Sequence, residues 1–185
     1  MPFEFIPQKI KDVILIKPQV FNDNRGFFLE SYKQSEFIAN GINTQFVQDN
    51  YSKSTAKVLR GLHFQKAPYE QAKLVHCTKG RIYDIAVDIR PKSPTFKQHL
   101  KIELSEENKN MLYLPEGFAH GFVVLSDEAE ISYKTNKEYN KDADCGIYWA
   151  DETLAIDLEI DFEPILSEKD KNLPKLEEII LWNYS

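Results

Sequence analysis

Cysteine is scarce in this chain of 185 residues: Cys77 and Cys145 lie far apart, outside any C-x-x-C spacing. That excludes a disulfide framework, and both read as small buried apolar residues. Glycine is sparse too, with seven residues and neither a G-x-G-x-x-G nor a G-x-x-x-x-G-K-[ST] run. A Rossmann dinucleotide domain and a P-loop are excluded with it, so any phosphate has to be met by arginines, for which Arg25 in "DNRGFF" and Arg60 are candidates. No G-x-S-x-G elbow occurs either, and neither cysteine sits in a nucleophile context. Basic charge is in deficit: 23 Lys and Arg against 29 Asp and Glu give a net charge of −6. Nucleic-acid binding needs clustered Lys and Arg and is not expected, whereas a local basic pocket for one small anion remains open. No apolar stretch approaches membrane-spanning length, and "MPFEFIPQKIKD" lacks the apolar run of a signal peptide. The expectation is a cytoplasmic protein with no membrane partner.

What is present is strand patterning. Short runs with period-two alternation or β-branched residues recur between turn signals: "VILIKPQVF", "GFFLESY", "TQFVQDNYS", "KVLRGLHFQ", "AKLVHCTKGRIYDIAVDIR", "QHLKIELS", "NMLYLPEG", "HGFVVLS" and "EISYKTNKEY". Many short strands separated by turns predict an all-β sandwich or barrel, here as a single domain over residues 1–185. "TKGR" reads as a hairpin turn with Gly80 at the positive-φ position. Two short helices are predicted, in "KQSEFIANGI", ending at Gly41, and in "LPKLEEIILW". A barrel with one open mouth gathers inward side chains from several strands, so the polar residues alternating with apolar ones are site candidates.

In "VLRGLHFQ", His63 and Gln65 share a face with Gly61, where the missing side chain leaves room for something to approach. Such a histidine is either a satisfied core residue or a proton-transfer group. Lys73 shares a face with Val75 and Cys77; it reads as a snorkelling edge residue or as a fixed cation beside a developing negative charge. In "IYDIAVDIR", Asp84 and Asp88 lie opposite Tyr83, Ile85, Val87 and Ile89, which makes them a solvated outer face or an inward pair of carboxylates. His120 follows the turn at Pro115 and Gly117, and Tyr133 alternates with Ile131 on a late strand. His76 and His99 read as structural. His63, Gln65 and Glu70, followed by P-x-G-x-x-H at Pro115 to His120, match the two cupin motifs. Gln65 stands where metal-binding cupins place a second histidine, and an amide oxygen is a poor ligand for first-row metals, so no metal is expected.

Eight blocks then fall in order: "DNRGFFLES", "FVQDNYS", "VLRGLHFQ", "QAKLVHC", "VDIRPKSPTF", "PEGFAHGF", "YK" and "LSEKD". From about Val13 to Leu176 the chain resembles the dTDP-4-dehydrorhamnose 3,5-epimerase family, metal-free cupin-type enzymes of the dTDP-L-rhamnose pathway. The resemblance implies a mainly β, cupin-type double-stranded β-helix (jelly-roll) barrel with a few short helices. It implies a dTDP-linked 4-keto-6-deoxyhexose as substrate and no cofactor. His63 is then the base that removes the protons beside the C4 ketone, Asp170 orients and charge-balances it, Tyr133 is the acid on the opposite face, and Lys73 stabilises the enolate oxygen. Arg25, Glu30, Gln48, Asp49, Asn50, Arg60, His120, Asp144 and Lys169 match positions that hold the nucleotide sugar, and Tyr139 falls where an aromatic ring stacks on thymine. The family is also implied to be homodimeric, an N-terminal strand of one subunit completing the other's barrel so that Arg25 and Glu30 reach the site across the interface.

The chemistry asks for these residue types. Inverting a carbon beside a ketone requires taking a proton from one face and returning one to the other, which two opposed groups do best. A histidine titrates near neutral pH and suits the base, and a cation helps most where the enolate charge develops. The ketone acidifies both neighbouring carbons, so no redox cofactor is needed. Departures from the family pattern are Lys141 for a proline, Asp144 for a glutamate, and Glu152, Leu158 and Glu159 in "WADETLAIDLE", where Trp149 and Asp151 are kept. They bear on substrate preference more than on reaction type. Three alternatives stay open: inversion at C3 or C5 alone, a metal-dependent cupin using His63, Glu70 and His120, and a sugar-binding cupin without activity.

Overall fold

The computed structural model describes residues 2–179. Its strands are β1 (Phe3–Pro7), β2 (Ile14–Pro18), β3 (Val20–Asp23), β4 (Gly26–Leu29), β5 (Gln48–Thr55), β6 (Leu59–Gln65), β7 (Lys73–Lys79), β8 (Arg81–Asp88), β9 (His99–Ser105), β10 (Met111–Leu114), β11 (Phe118–Val124), β12 (Glu128–Thr135) and β13 (Asp144–Gly146). They form a six-stranded sheet in the order β1-β2-β10-β7-β12-β5 and a five-stranded sheet in the order β13-β6-β11-β8-β9, with β3 and β4 as a separate hairpin. From β5 to β8, and again from β10 to β13, the chain changes sheet at every connection. This is the jelly-roll winding that the family resemblance implies, and each run expected from the patterning contains a strand.

The winding corrects one reading. Gly80 does have positive φ, +73°, but β7 and β8 do not pair; the turn carries the chain from one sheet to the other. A glycine turn serves a hairpin and a corner equally, so the local signal could not tell them apart. Strands β1 and β13 were not foreseen: the first ends on Pro7 and the second is three residues long. Helix α1 (Gln34–Ala39) ends just before Gly41, at φ +87°, as expected. The predicted C-terminal helix is a 3₁₀ turn over Leu176–Glu178, and Ile180–Trp182 lie outside the described residues. A short helix not predicted, α2 (Glu168–Lys171), opens where the Asp170 amide donates to the Ser167 hydroxyl, 3.0 Å away.

Three apolar layers follow from the period of the strands. Between the sheets lie Val75 and Cys77 of β7, Ile82 and Ala86 of β8, Phe118 and Phe122 of β11, and Ile131 of β12. The outer face of the five-stranded sheet, with Leu62, Ile85, Val87 and Val123, is covered by Leu154, Leu158 and Leu176 of the C-terminal segment. Phe37 of α1 closes the outer face of the other sheet against Phe3, Ile16, Leu74 and Met111. Strand β8 is thus covered on both faces, and its odd-numbered apolar residues point outward under the C-terminal segment. Asp84 and Asp88 share the inward phase with Ile82 and Ala86, and both are fully buried. The solvated-face reading fails because that segment, remote in sequence, occupies the other face.

Gly61 also has a different meaning from the one its spacing suggests. Its φ is +115°, and a methyl group there would stand 2.6 Å from Gly121 Cα and 2.7 Å from the His120 carbonyl oxygen. At Gly121 a methyl group would meet the Arg60 carbonyl at 2.6 Å. What approaches Gly61 is the backbone of β11.

Candidate active site

Inward positions of both sheets meet in a cavity of about 330 Å³ whose lining includes Arg60 and His63 of β6, Lys73 of β7, His120 of β11 and Tyr133 of β12. Tyr139, Asp144 and Lys169 complete it from the loop after β12, from β13 and from α2. His63 and Tyr133 enter from different sheets, so they face the cavity from opposed walls. His63 stands directly across from His120 in the β6–β11 register.

His63 is held from behind. Its Nε2 lies 2.6 Å from Asp170 Oδ1, and Asp170 is buried. Burial alone would raise the Asp170 carboxyl, but the hydrogen bond and charge of His63 and the Ser167 hydroxyl outweigh it and hold the group below its ordinary range. A carboxylate on one imidazole nitrogen fixes the tautomer and stabilises the imidazolium formed when the other accepts a proton. The two residues are 107 positions apart, so only the fold brings them together.

Lys73 is buried, contrary to the snorkelling reading, and its Nζ donates to the His63 carbonyl oxygen at 3.5 Å. Burial lowers its ammonium to about 8 against the opposing charges of Asp84 and Asp144. His120 is buried as well, with Nε2 2.9 Å from Asp84 Oδ2. Burial pushes its titration below the ordinary histidine range despite the Asp84 charge. Tyr133 has its phenol raised by burial, with Arg60 opposing. Arg60 itself is set by Nε donating to Ser54 Oγ at 2.9 Å and Nη2 to the Lys53 carbonyl at 3.2 Å.

At the mouth, the Tyr139 hydroxyl donates to Asp144 Oδ2 at 3.0 Å, and Lys169 Nζ donates to the same oxygen at 2.5 Å. Tyr139 is 56% exposed, leaving its ring available to an incoming planar group. Gln48 accepts from the Tyr139 amide at 2.9 Å and donates to Asn50 Oδ1 at 2.8 Å, tying this loop to β5.

The structure therefore brings eight predicted residues into the cavity wall, with Asp170 behind them and Gln48 and Asn50 beside it. Asp49 is on the outer side, paired with Lys134 at 2.7 Å. Arg25 and Glu30 do not line the cavity: Arg25 sits in the exposed β3–β4 turn, paired with Asp23 at 2.6 Å, and Glu30 follows β4. Glu70 points to Lys137, 3.4 Å away, while Gln65 donates to the Tyr69 carbonyl and accepts from the Asn140 amide. No group of three His, Cys, Asp or Glu side chains with metal-ligand spacing is found among the described residues. Ser52 and Gln71 line the cavity and were not foreseen. Asp84, the carboxylate behind His120, was weighed only as one of two faces of a strand; no local signal marks it.

A histidine backed by a carboxylate on one wall, and a phenol with a buried cation on the other, suit proton removal and return across a flat carbon acid. Comparisons with known proteins agree. Residues 7–178 match the family model described as dTDP-4-dehydrorhamnose 3,5-epimerase. The enzyme of that name from Escherichia coli (strain K12) is 52% identical over 176 residues, covering 95% of each chain. A crystal structure of a Legionella pneumophila 3,5-epimerase in complex with dTDP-4-keto-L-rhamnose superposes with a TM-score of 0.93 at 41% identity, covering 96% of this chain and 95% of that one. An Elizabethkingia anophelis dTDP-4-dehydrorhamnose 3,5-epimerase structure gives 0.91 at 47% identity, covering 96% and 98%. The chain belongs to the dTDP-4-dehydrorhamnose 3,5-epimerase family.

Proposed function

We infer that this chain inverts C3 and C5 of dTDP-4-dehydro-6-deoxy-D-glucose, giving dTDP-4-dehydro-L-rhamnose. The observation that carries the reading is the His63–Asp170 pair facing Tyr133 across the cavity, within a chain similar along most of its length to enzymes of that name. At each carbon, His63 takes the proton, and the C–H electron pair moves into the C4 carbonyl as an enolate. Lys73 stabilises the oxygen, and Tyr133 returns a proton to the opposite face. The phenol then regains its proton from solvent and the imidazolium loses its own, so the chemistry closes without a cofactor. Arg60, His120 and Lys169 meet the nucleotide sugar, with Gln48, Asn50 and Asp144 at the mouth, and the Tyr139 ring stacks on the base.

The active form in this reading is a homodimer in the cytoplasm, with a strand exchanged between subunits. The β3–β4 hairpin supports it: among the described residues the two strands pair only with each other, and they expose Phe21, Phe27 and Phe28 beside Arg25. Seated against a second copy, the hairpin would bury those rings and carry Arg25 and Glu30 toward the neighbour's phosphates. No helix among the described residues is long and apolar enough to cross a membrane.

The test is NMR of dTDP-4-dehydro-6-deoxy-D-glucose with chelator-treated protein in D₂O, the product trapped by a reductase. Deuterium at both C3 and C5 is expected. Exchange at one carbon would replace the double inversion with a single one, and no exchange would overturn the substrate assignment.

A further inference from the structure

Asp84 sits mid-strand in β8, between Phe122 of β11 and Ile102 of β9, with no solvent exposure. One oxygen is bonded to His120; the other, Oδ1, is buried without a hydrogen-bond partner. Lys73, also buried, has three donors and, among the described residues, only the distant His63 carbonyl to receive them. A buried carboxylate with a free oxygen and a buried ammonium with free hydrogens are each costly alone and tolerable together.

We propose that Asp84 is a positioning residue of this site, its buried carboxylate being the countercharge of the Lys73 ammonium while its bonded oxygen fixes the His120 ring. The inference deepens the reaction proposed above and rests on it for its purpose. Lys73 points between the sheets in phase with Val75 and Cys77 and lines the cavity with Arg60 and His63 of β6, His120 of β11, Tyr133 of β12 and Asp144 of β13. Asp84 points inward from the facing sheet in phase with Ile82 and Ala86 and joins this group through its bond to His120. It acts on Lys73 by its charge rather than in a bonded pair. Only Asp84 and Asp144 among them oppose the burial that favours neutral lysine, and Asp144 already accepts from Tyr139 and Lys169. Asp84 is therefore the charge left to keep Lys73 cationic where an enolate oxygen would form.

The test needs no substrate, so it stands apart from the fate of the proposed reaction. Protein labelled with ¹³C-lysine is titrated by NMR, the Lys73 signal being assigned by its loss in Lys73→Arg. The wild-type midpoint is expected near 8, and in Asp84→Asn it falls by about one pH unit or more. An unchanged midpoint in a folded Asp84→Asn variant overturns the proposal, since a purely structural role would not move it. Where the enzyme turns over, the alkaline limb of kcat moves down in parallel. If Asp84→Asn does not fold, thermal unfolding of Lys73→Met is compared with that of Lys73→Met/Asp84→Asn. The double variant, free of an unpaired buried charge, is expected to melt higher; an equal or lower melting temperature overturns the pairing.

Discussion

The middle and the end of β8 treat the same side chain differently. Asp88, near the turn, accepts from the Arg90 amide and guanidinium and from the hydroxyls of Ser93 and Thr95, all at 3.0 Å or less. Asp84, four residues earlier on the same inward face, has one bonded oxygen and one bare. Both are fully buried. At Asp88 every lone pair is used to pin the loop into β9, and nothing is left with which to meet another molecule. At Asp84 the deficit lies beside a cavity and a cation. Burial alone did not distinguish scaffold from site on this strand; the degree of hydrogen-bond saturation does.

That contrast can be broken at either end. The largest effect is expected at the site: His63→Ala should lower kcat by at least about 1,000-fold while far-UV circular dichroism stays that of the wild type. Normal turnover in that variant would remove the base from the mechanism. At the saturated end, Asp88→Ala should destabilise the fold by about 3 kcal/mol in denaturant unfolding, because Arg90 and two hydroxyls lose their acceptor, while kcat per folded molecule is kept. A loss of activity out of proportion to stability would mean that Asp88 too serves the chemistry. Tyr133→Phe should cost about 100-fold in kcat, with deuterium exchange persisting at one carbon; undiminished product formation would assign the acid elsewhere. The smallest effect concerns acid. The donors around Asp88 hold its carboxyl below the ordinary range despite burial, as His63 does for Asp170. Their stabilisation is complete above the ordinary carboxylate range and is lost as pH falls through the lowered folded values. Asp88→Asn should therefore show a shallower fall in stability on acidification than the wild type, measured by urea midpoints from neutral pH downward. Parallel curves would contradict the role given to Asp88.

Much of this was legible in residues with strong local grammar. Period two placed His63 with Gln65 and Lys73 with Val75 on the correct faces, because alternation is a property of the strand itself. Gly80 announced positive φ, since few other residues accept it, and Gly41 announced the end of a helix. What could not be read depended on distant chain. Which face of "IYDIAVDIR" is inward was decided by Leu154, Leu158 and Leu176, and the partners of β7 and β8 by the winding of the whole barrel. Asp170 was reached only by family resemblance, although Ser167-x-x-Asp170 has the spacing of a helix-start signal and could have placed α2. Arg25 and Glu30 stand outside this chain's own cavity, and the role the resemblance implies for them rests on the proposed second copy.

The close-set glycines of β6 and β11 set a gauge for one wall of the cavity. Because Gly61 and Gly121 have no side chains, the two backbones close to a separation no other residue permits, and His63 and His120 inherit that spacing two residues and one residue away. The reach of His63 into the cavity is calibrated by two hydrogens, in a place where no functional group exists. A wedge one carbon thick would detune the site without touching any atom that takes part in the reaction.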